Sequence, residues 1–267
     1  MAFVRTGSFV THCEAIGKSD APVLVLGNSL GTDMHLWDAQ VSALAARFRV
    51  LRYDMRGHGL SELPESIDAY TIDDLAGDVL ALADALEIEH FHYCGLSIGG
   101  MVGQRLGARA PDRVQSLALC NTAMAVAVPQ AYRDRADTVR KNGLGAIGDA
   151  VLERWFTPQF LAANLDVACG MRAMLMHNSV AGYAGCCLAL ATMDLNADAR
   201  RIACPTLVVA GAQDLATPPA AARAIAAAVK GAKLVEIPDC AHLSAVERPA
   251  ELTAVLSEFF ASAAVAA

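Results

Sequence analysis

Six short apolar or alternating runs, each followed by a segment with helical spacing, govern what this 267-residue chain can fold into. They are residues 22–28 (PVLVLGN), 48–54 (FRVLRYD), 89–95 (EHFHYCG), 114–121 (VQSLALCN), 205–211 (PTLVVAG) and 233–237 (KLVEI). Most of them close on Gly, Asn or Asp, the residues that tolerate a turn. Between them, residues 36–47, 71–86 and 99–110 repeat apolar positions every three or four residues, as do the Ala-rich stretches 218–229 and 248–264. Thr71 with Asp74 marks a helix start, because a hydroxyl oxygen and an acid both suit free N-terminal amides. Strand–helix alternation of this kind predicts a mainly parallel sheet with helices on both faces. The rhythm breaks over residues 124–198, which read as helix throughout. The expectation is therefore a core built from 1–123 and 199–267 with an inserted helical cap at 124–198.

Composition narrows the classes of partner. The chain is 55% hydrophobic and carries a net charge of -7 with no Lys/Arg block. That argues against nucleic acid and anionic membranes as partners. No apolar run has the length of a membrane span, and the N-terminus lacks the apolar centre of a signal peptide. The eight cysteines are scattered and form no C-x-x-C pair, so they read as small buried apolar residues rather than disulfides or metal ligands. A cytoplasmic protein is expected, with neither metal nor organic cofactor.

One run ends unusually. Gly95-Leu96-Ser97-Ile98-Gly99 places a serine between two glycines, after a strand and before a helix. This is the context in which G-x-S-x-G holds a nucleophile on a tight turn, with the helix N-terminus facing the reaction. A serine hydroxyl is a weak nucleophile and needs a base. Two later strand exits offer candidates. Asp214 follows the run 205–211, and His242 follows 233–237 in Ile237-Pro238-Asp239-Cys240-Ala241-His242. Both fall at carboxyl ends of strands, where open α/β sheets bind ligands. His242 would take the proton from Ser97, and Asp214 would orient the imidazole. Rival acids are Asp239, read as a solvated turn residue, and Asp54, read as a loop anchor or partner of Arg56. His58 is a rival base that the neighbouring glycines assign to a buried loop. His35 and His177 are further candidates for the pocket. An oxyanion needs two donors, for which the backbone amides of Ile98 and Leu30 are placed by position.

Together these motifs resemble the α/β-hydrolase family across essentially the whole chain. Asn28-Ser29 stands where the family often has His-Gly. The stretches GNSLGTDMHLWD (27–38), YDMRGHGLSELP (53–64), CGLSIGGMVGQRL (94–106), LCNTA (119–123), GAQDLATPP (211–219) and DCAHLSAVERP (239–249) are more narrowly similar to the 3-oxoadipate enol-lactonases of bacterial aromatic catabolism. That likeness implies a small anionic lactone as substrate, opened to 3-oxoadipate. A carboxylesterase, a carbon–carbon bond hydrolase or a ligand receptor on the same fold would share the same three residues. Dehalogenases and epoxide hydrolases of this fold are disfavoured, since they carry aspartate where this chain has Ser97. A substrate carboxylate calls for a cation, and Arg133, Arg135, Arg140 and Arg154 lie in the helical insertion. Trp37 and Trp155 are candidate walls of the pocket.

Overall fold

The computed structural model describes residues 1–64 and 70–265. The last two residues of the expected core segment 199–267 lie outside the described residues. An eight-stranded sheet runs through the molecule in the order β1-β2-β4-β3-β5-β6-β7-β8. The strands are β1 (Ala2–Thr6), β2 (Phe9–Ile16), β3 (Val23–Gly27), β4 (Arg49–Tyr53), β5 (Phe91–Leu96), β6 (Val114–Cys120), β7 (Thr206–Gly211) and β8 (Lys233–Ile237). From β4 to β8 every neighbouring pair is parallel. The six runs read from sequence are these six strands. The other two form an antiparallel hairpin, β1 with β2, joined antiparallel to β4. All residues of β5 and β7 are buried, as a parallel strand covered on both faces requires.

Helices α1 (Asp38–Leu44), α2 (Ile72–Ala85) and α3 (Ile98–Arg109) connect the first parallel strands. The crossover through α1 moves leftward in the order, from β3 to β4. Those through α2 and α3 move rightward, to β5 and then β6. Right-handed crossovers in opposite directions put their helices on opposite faces. The expected helix 36–47 is divided: a 3-10 turn at Met34–Trp37 precedes α1. The expected start at Thr71 is a full capping box, in which Thr71 Oγ1 accepts from Asp74 N–H and Asp74 Oδ2 accepts from Thr71 N–H.

Between β6 and β7 the regular elements described are all helical: α4 (Pro129–Asn142), α5 (Gly148–Trp155), α6 (Pro158–Ala163), α7 (Leu165–Met176), α8 (Val180–Thr192) and α9 (Asn196–Ala199). The chain finishes with α10 (Pro219–Ala228), α11 (Ser244–Glu247) and α12 (Pro249–Val265); α12 packs on α1. Among the described residues no single helix is long and apolar enough to cross a membrane. None of the eight cysteines is disulfide-bonded, and six of them are buried.

The topology itself makes a crevice. The chain leaves β3 leftward to β4, then returns across to β5 on the other side of β3. Loops leaving β3 and β5 therefore diverge at their carboxyl ends, and ligands bind at such a switch point. Gly27 and Gly95 end these two strands as register partners.

Candidate active site

The turn after β5 is built by backbone contact. Ser97 has φ 59° and ψ −118°, a left-handed conformation for a residue with a side chain. Such strain costs roughly 1–3 kcal/mol and persists only where the surroundings enforce it. Here Ser97 N–H donates to Cys120 O at 2.9 Å, and Ser97 O accepts from Thr122 Oγ1 at 2.7 Å. A Cβ on Gly95 would lie 2.2 Å from Gly99 O, and one on Gly99 would lie 2.5 Å from Gly27 O. The two glycines thus let the β3 loop and the start of α3 approach without side chains. Gly99 N–H donates to Asn28 O at 3.1 Å and ties the two loops together. Ile98 opens α3, so its N–H precedes the helix's own hydrogen bonds. Among the described residues neither Leu30 N–H nor Ile98 N–H meets an acceptor. Two free amides beside a serine can receive a developing oxyanion.

His242 and Asp214 meet from the exits of β8 and β7. His242 Nδ1 lies 2.8 Å from Asp214 Oδ2, and both residues are buried. Asp214 is surrounded by donors. Its Oδ1 accepts from Ala216 N–H at 2.7 Å and Thr217 N–H at 2.9 Å; its Oδ2 also accepts from Thr217 Oγ1 at 2.8 Å and Asn121 Nδ2 at 3.1 Å. Burial alone would push this carboxyl up, but His242 and the Thr217 hydrogen bonds together hold it below the usual carboxylate value. An ionised Asp214 fixes the proton on Nδ1 and leaves Nε2 as the basic nitrogen.

Ser97 and His242 line one cavity, with Leu30, Tyr132, Arg135, Arg154, Trp155 and Tyr183 also in its walls. Ser97 Oγ makes no hydrogen bond among the described residues. A nucleophile–base contact is often loose without ligand and tightens when substrate binds.

The rival residues lie elsewhere. Asp239 is exposed and pairs with Arg248 at 3.3 Å. Asp54 anchors its loop, but its partner is His12 Nδ1 at 2.7 Å, with Met34 and Leu60 amides donating to it, and not Arg56. Arg56 pairs with Asp78 instead and lies over the Tyr70 ring. His58 is fully buried, its pKa lowered by burial, and bonded to Arg56 O. His35 and His177 are exposed, bonded to Asp38 and to Ala173 O, and outside the cavity.

Two expected wall residues are corrected. Trp37 is completely buried in the core and does not reach the cavity. Arg133 is exposed on α4 with a distant contact to Ala191 O, whereas Arg135 and Arg154 line the cavity. Trp155 does line it.

Three supporting residues escaped the sequence reading. Asn121, at φ 46°, donates to Asp214 and to Ala241 O at 3.1 Å, and its Oδ1 accepts from Ser244 Oγ at 2.6 Å. Thr217 was hidden in the run after Asp214. Glu247, five residues after His242, is buried. Its Oε2 accepts from Ala241 N–H at 2.7 Å, while Oε1 accepts from Thr157 N–H at 3.0 Å and Thr157 Oγ1 at 2.6 Å. Alongside, His242 N–H and Leu243 N–H both donate to Trp155 O at 3.0 Å. One carboxylate thus clamps the His242 loop to the α5–α6 junction that supplies Trp155. Glu247→Ala is expected to lower kcat roughly 10–100-fold through a misplaced imidazole, with KM within about threefold. Glu247→Gln, which keeps an acceptor, is expected to recover part of the loss. Steady-state kinetics on folded protein checks this, since a role in stability alone would leave kcat unchanged.

Among the described residues no group of three or more His, Cys, Asp or Glu side chains is placed to hold a metal ion.

Comparison with known proteins bears on the family and the fold. A family profile for the alpha/beta hydrolase fold matches residues 22–249. The chain is 38% identical to 3-oxoadipate enol-lactonase 2 of Acinetobacter baylyi over 87% of its own length and 86% of that protein. It is 35% identical to 3-oxoadipate enol-lactonase 1 of the same organism, over 92% and 91%. The crystal structure of the enol-lactonase from Burkholderia xenovorans LB400 superposes with a TM-score of 0.94 at 42% identity, covering 97% of this chain and all of that one. A sheet crossed at its switch point by a strained serine turn, and matched along most of its length, makes this chain a member of the α/β-hydrolase fold family.

Proposed function

We propose that this protein is a serine hydrolase that opens 3-oxoadipate enol-lactone to 3-oxoadipate, a step of the β-ketoadipate route of aromatic catabolism. Ser97 Oγ attacks the ring carbonyl while His242 Nε2 takes its proton. Asp214 holds the imidazole and stabilises its charged form. The tetrahedral oxyanion rests on the amides of Leu30 and Ile98. The ring C–O bond then breaks; the departing enol oxygen takes a proton and ketonises. Water, deprotonated by His242, attacks the acyl-serine and releases the second carboxylate. An enol leaves more easily than an alkoxide, so leaving-group protonation carries less of the barrier than in an ordinary ester. The helices from α4 to α9 act as a cap over this site. The unpaired cysteines suit a reducing, cytoplasmic setting.

The observation that carries the substrate class is Arg135. It is half-buried, lies 5.1 Å over the Tyr132 ring, lines the same cavity as Ser97, and has no carboxylate partner among the described residues. A half-buried guanidinium without a counter-ion favours an anion beside it. The names of the relatives support the same class of substrate. Arg135→Gln is therefore expected to raise KM for the enol-lactone about 10–100-fold, the usual worth of a charged hydrogen bond. The efficiency on a neutral ester should stay within about threefold. An equal loss on both substrates would favour a general carboxylesterase.

A further inference from the structure

The catalytic cavity does not end at its arginines. A second, mostly apolar groove shares Tyr132, Arg135, Arg154 and Ala216 with it. One side of the groove is formed by Val126, Val128 and Ala131, the other by Leu215, Pro218 and Ala221. Val128 and Leu215, 59% and 72% exposed, lie at its lips. A lactone whose substituent ends in a carboxylate at Arg135 makes no use of this space.

The groove also has a direction. Arg135, assigned above to the substrate carboxylate, lines both spaces. That carboxylate ends an arm on the carbon bearing the ring oxygen, so another substituent on the same carbon points toward Arg135 and the groove beyond it.

We propose that the groove is a subsite for an alkyl substituent on the leaving-group side, so that the enzyme also opens enol-lactones with an apolar tail in place of the carboxymethyl arm. This rests on the assignment of Ser97 and His242 made above. The chemistry is the same: the ring C–O bond breaks, the enol oxygen takes a proton and ketonises, and water supplies the hydroxyl of the new carboxylic acid. Short anionic substituents stop at Arg135; longer apolar ones pass it and lie between the lips.

A series of 5-alkyl-2(3H)-furanones tests this, because the leaving group is constant and the tail alone varies. A fully buried methylene favours binding about fourfold. In a groove open on one side, about twofold each is expected. The kcat/KM of the 5-pentyl compound should therefore exceed that of the 5-methyl compound by at least about tenfold in the wild type. Ala131→Trp, on the exposed first turn of α4, fills the groove, and Leu215→Asp makes one lip polar. Each should lower the pentyl-to-methyl ratio about fivefold or more. A wild-type ratio within about twofold of one, or a ratio unmoved by both variants, overturns the subsite. Hydrolysis that persists in Ser97→Ala would instead reject the underlying site assignment, so the two failures are distinguishable.

Discussion

Ser97→Ala is expected to lower kcat on enol-lactone by a factor on the order of 10⁶, the scale of losing a serine nucleophile from an intact triad. The structure explains why little else should change. The turn is held by Cys120 O and the Thr122 hydroxyl, both on the Ser97 backbone, and by the approach of Gly95, Gly99 and Gly27, none of which uses the Ser97 hydroxyl. Alanine at φ 59° carries the same strain as serine, so thermal unfolding should shift by no more than a few degrees. Ser97→Gly removes that strain. It should be as inactive as the alanine variant yet more stable by about 1 kcal/mol, the lower end of the cost of such a conformation. Stopped-flow or steady-state rates with calorimetry on the same preparations check both halves. Retained activity in Ser97→Ala, with no change of rate-limiting step, would mean that another group attacks the lactone.

Asp214→Asn is expected to lower kcat about 10⁴-fold with KM little changed, since the residue acts on the imidazole and not on substrate. Asp214 offers Nδ1 of His242 an acceptor that is already fixed by donors from Ala216, Thr217 and Asn121. An amide in that place has one oxygen instead of two and must point its NH2 at a donor or at Nδ1. Either choice leaves a buried group unpaired or favours the wrong tautomer. A pH dependence follows as well. The folded carboxyl is held below its ordinary value of about 3.9. Its contribution to stability is complete above that value and is lost as pH falls through the lower, folded one. The gap in melting temperature between wild type and Asp214→Asn should thus be widest near neutral pH and narrow below about pH 3.9. A constant gap across that range would show that the asparagine disturbs packing and not charge.

Much of this was legible in the sequence because parallel strands covered on both faces must be continuously apolar, and those runs fixed the order of the loops. The order serine, acid, histidine then needed no contact information. What stayed hidden depends on phase and on backbone shape. Residues 133 and 135 differ by two positions on one helix, about 200° of rotation, so one reaches the cavity while the other faces solvent. Sequence lists both as arginines of the same segment. Trp37 and Trp155 are chemically equal, but the 3-10 turn before α1 drives Trp37 into the core. The first hairpin, β1 with β2, mixes polar and apolar residues because it lies toward an edge of the sheet and is not enclosed like β5. Asn121 does its work from a left-handed φ that a strand pattern does not announce. Glu247 looks like a helix-surface acid until the loop before it folds back on Thr157.

If a serine in this cavity opens an anionic enol-lactone held by Arg135, the rate must depend on the substrate's charge, on that guanidinium and on the Ser97 hydroxyl. The most direct measurement is the ultraviolet loss of freshly generated 3-oxoadipate enol-lactone beside its methyl ester, in wild type and Arg135→Gln, with Ser97→Ala as the blank. Wild type should prefer the free carboxylate by about tenfold or more in kcat/KM, the low end of what a charged hydrogen bond contributes. Arg135→Gln should erase this preference, and Ser97→Ala should consume neither compound at a measurable rate. Equal rates on acid and ester in the wild type would contradict this role for Arg135.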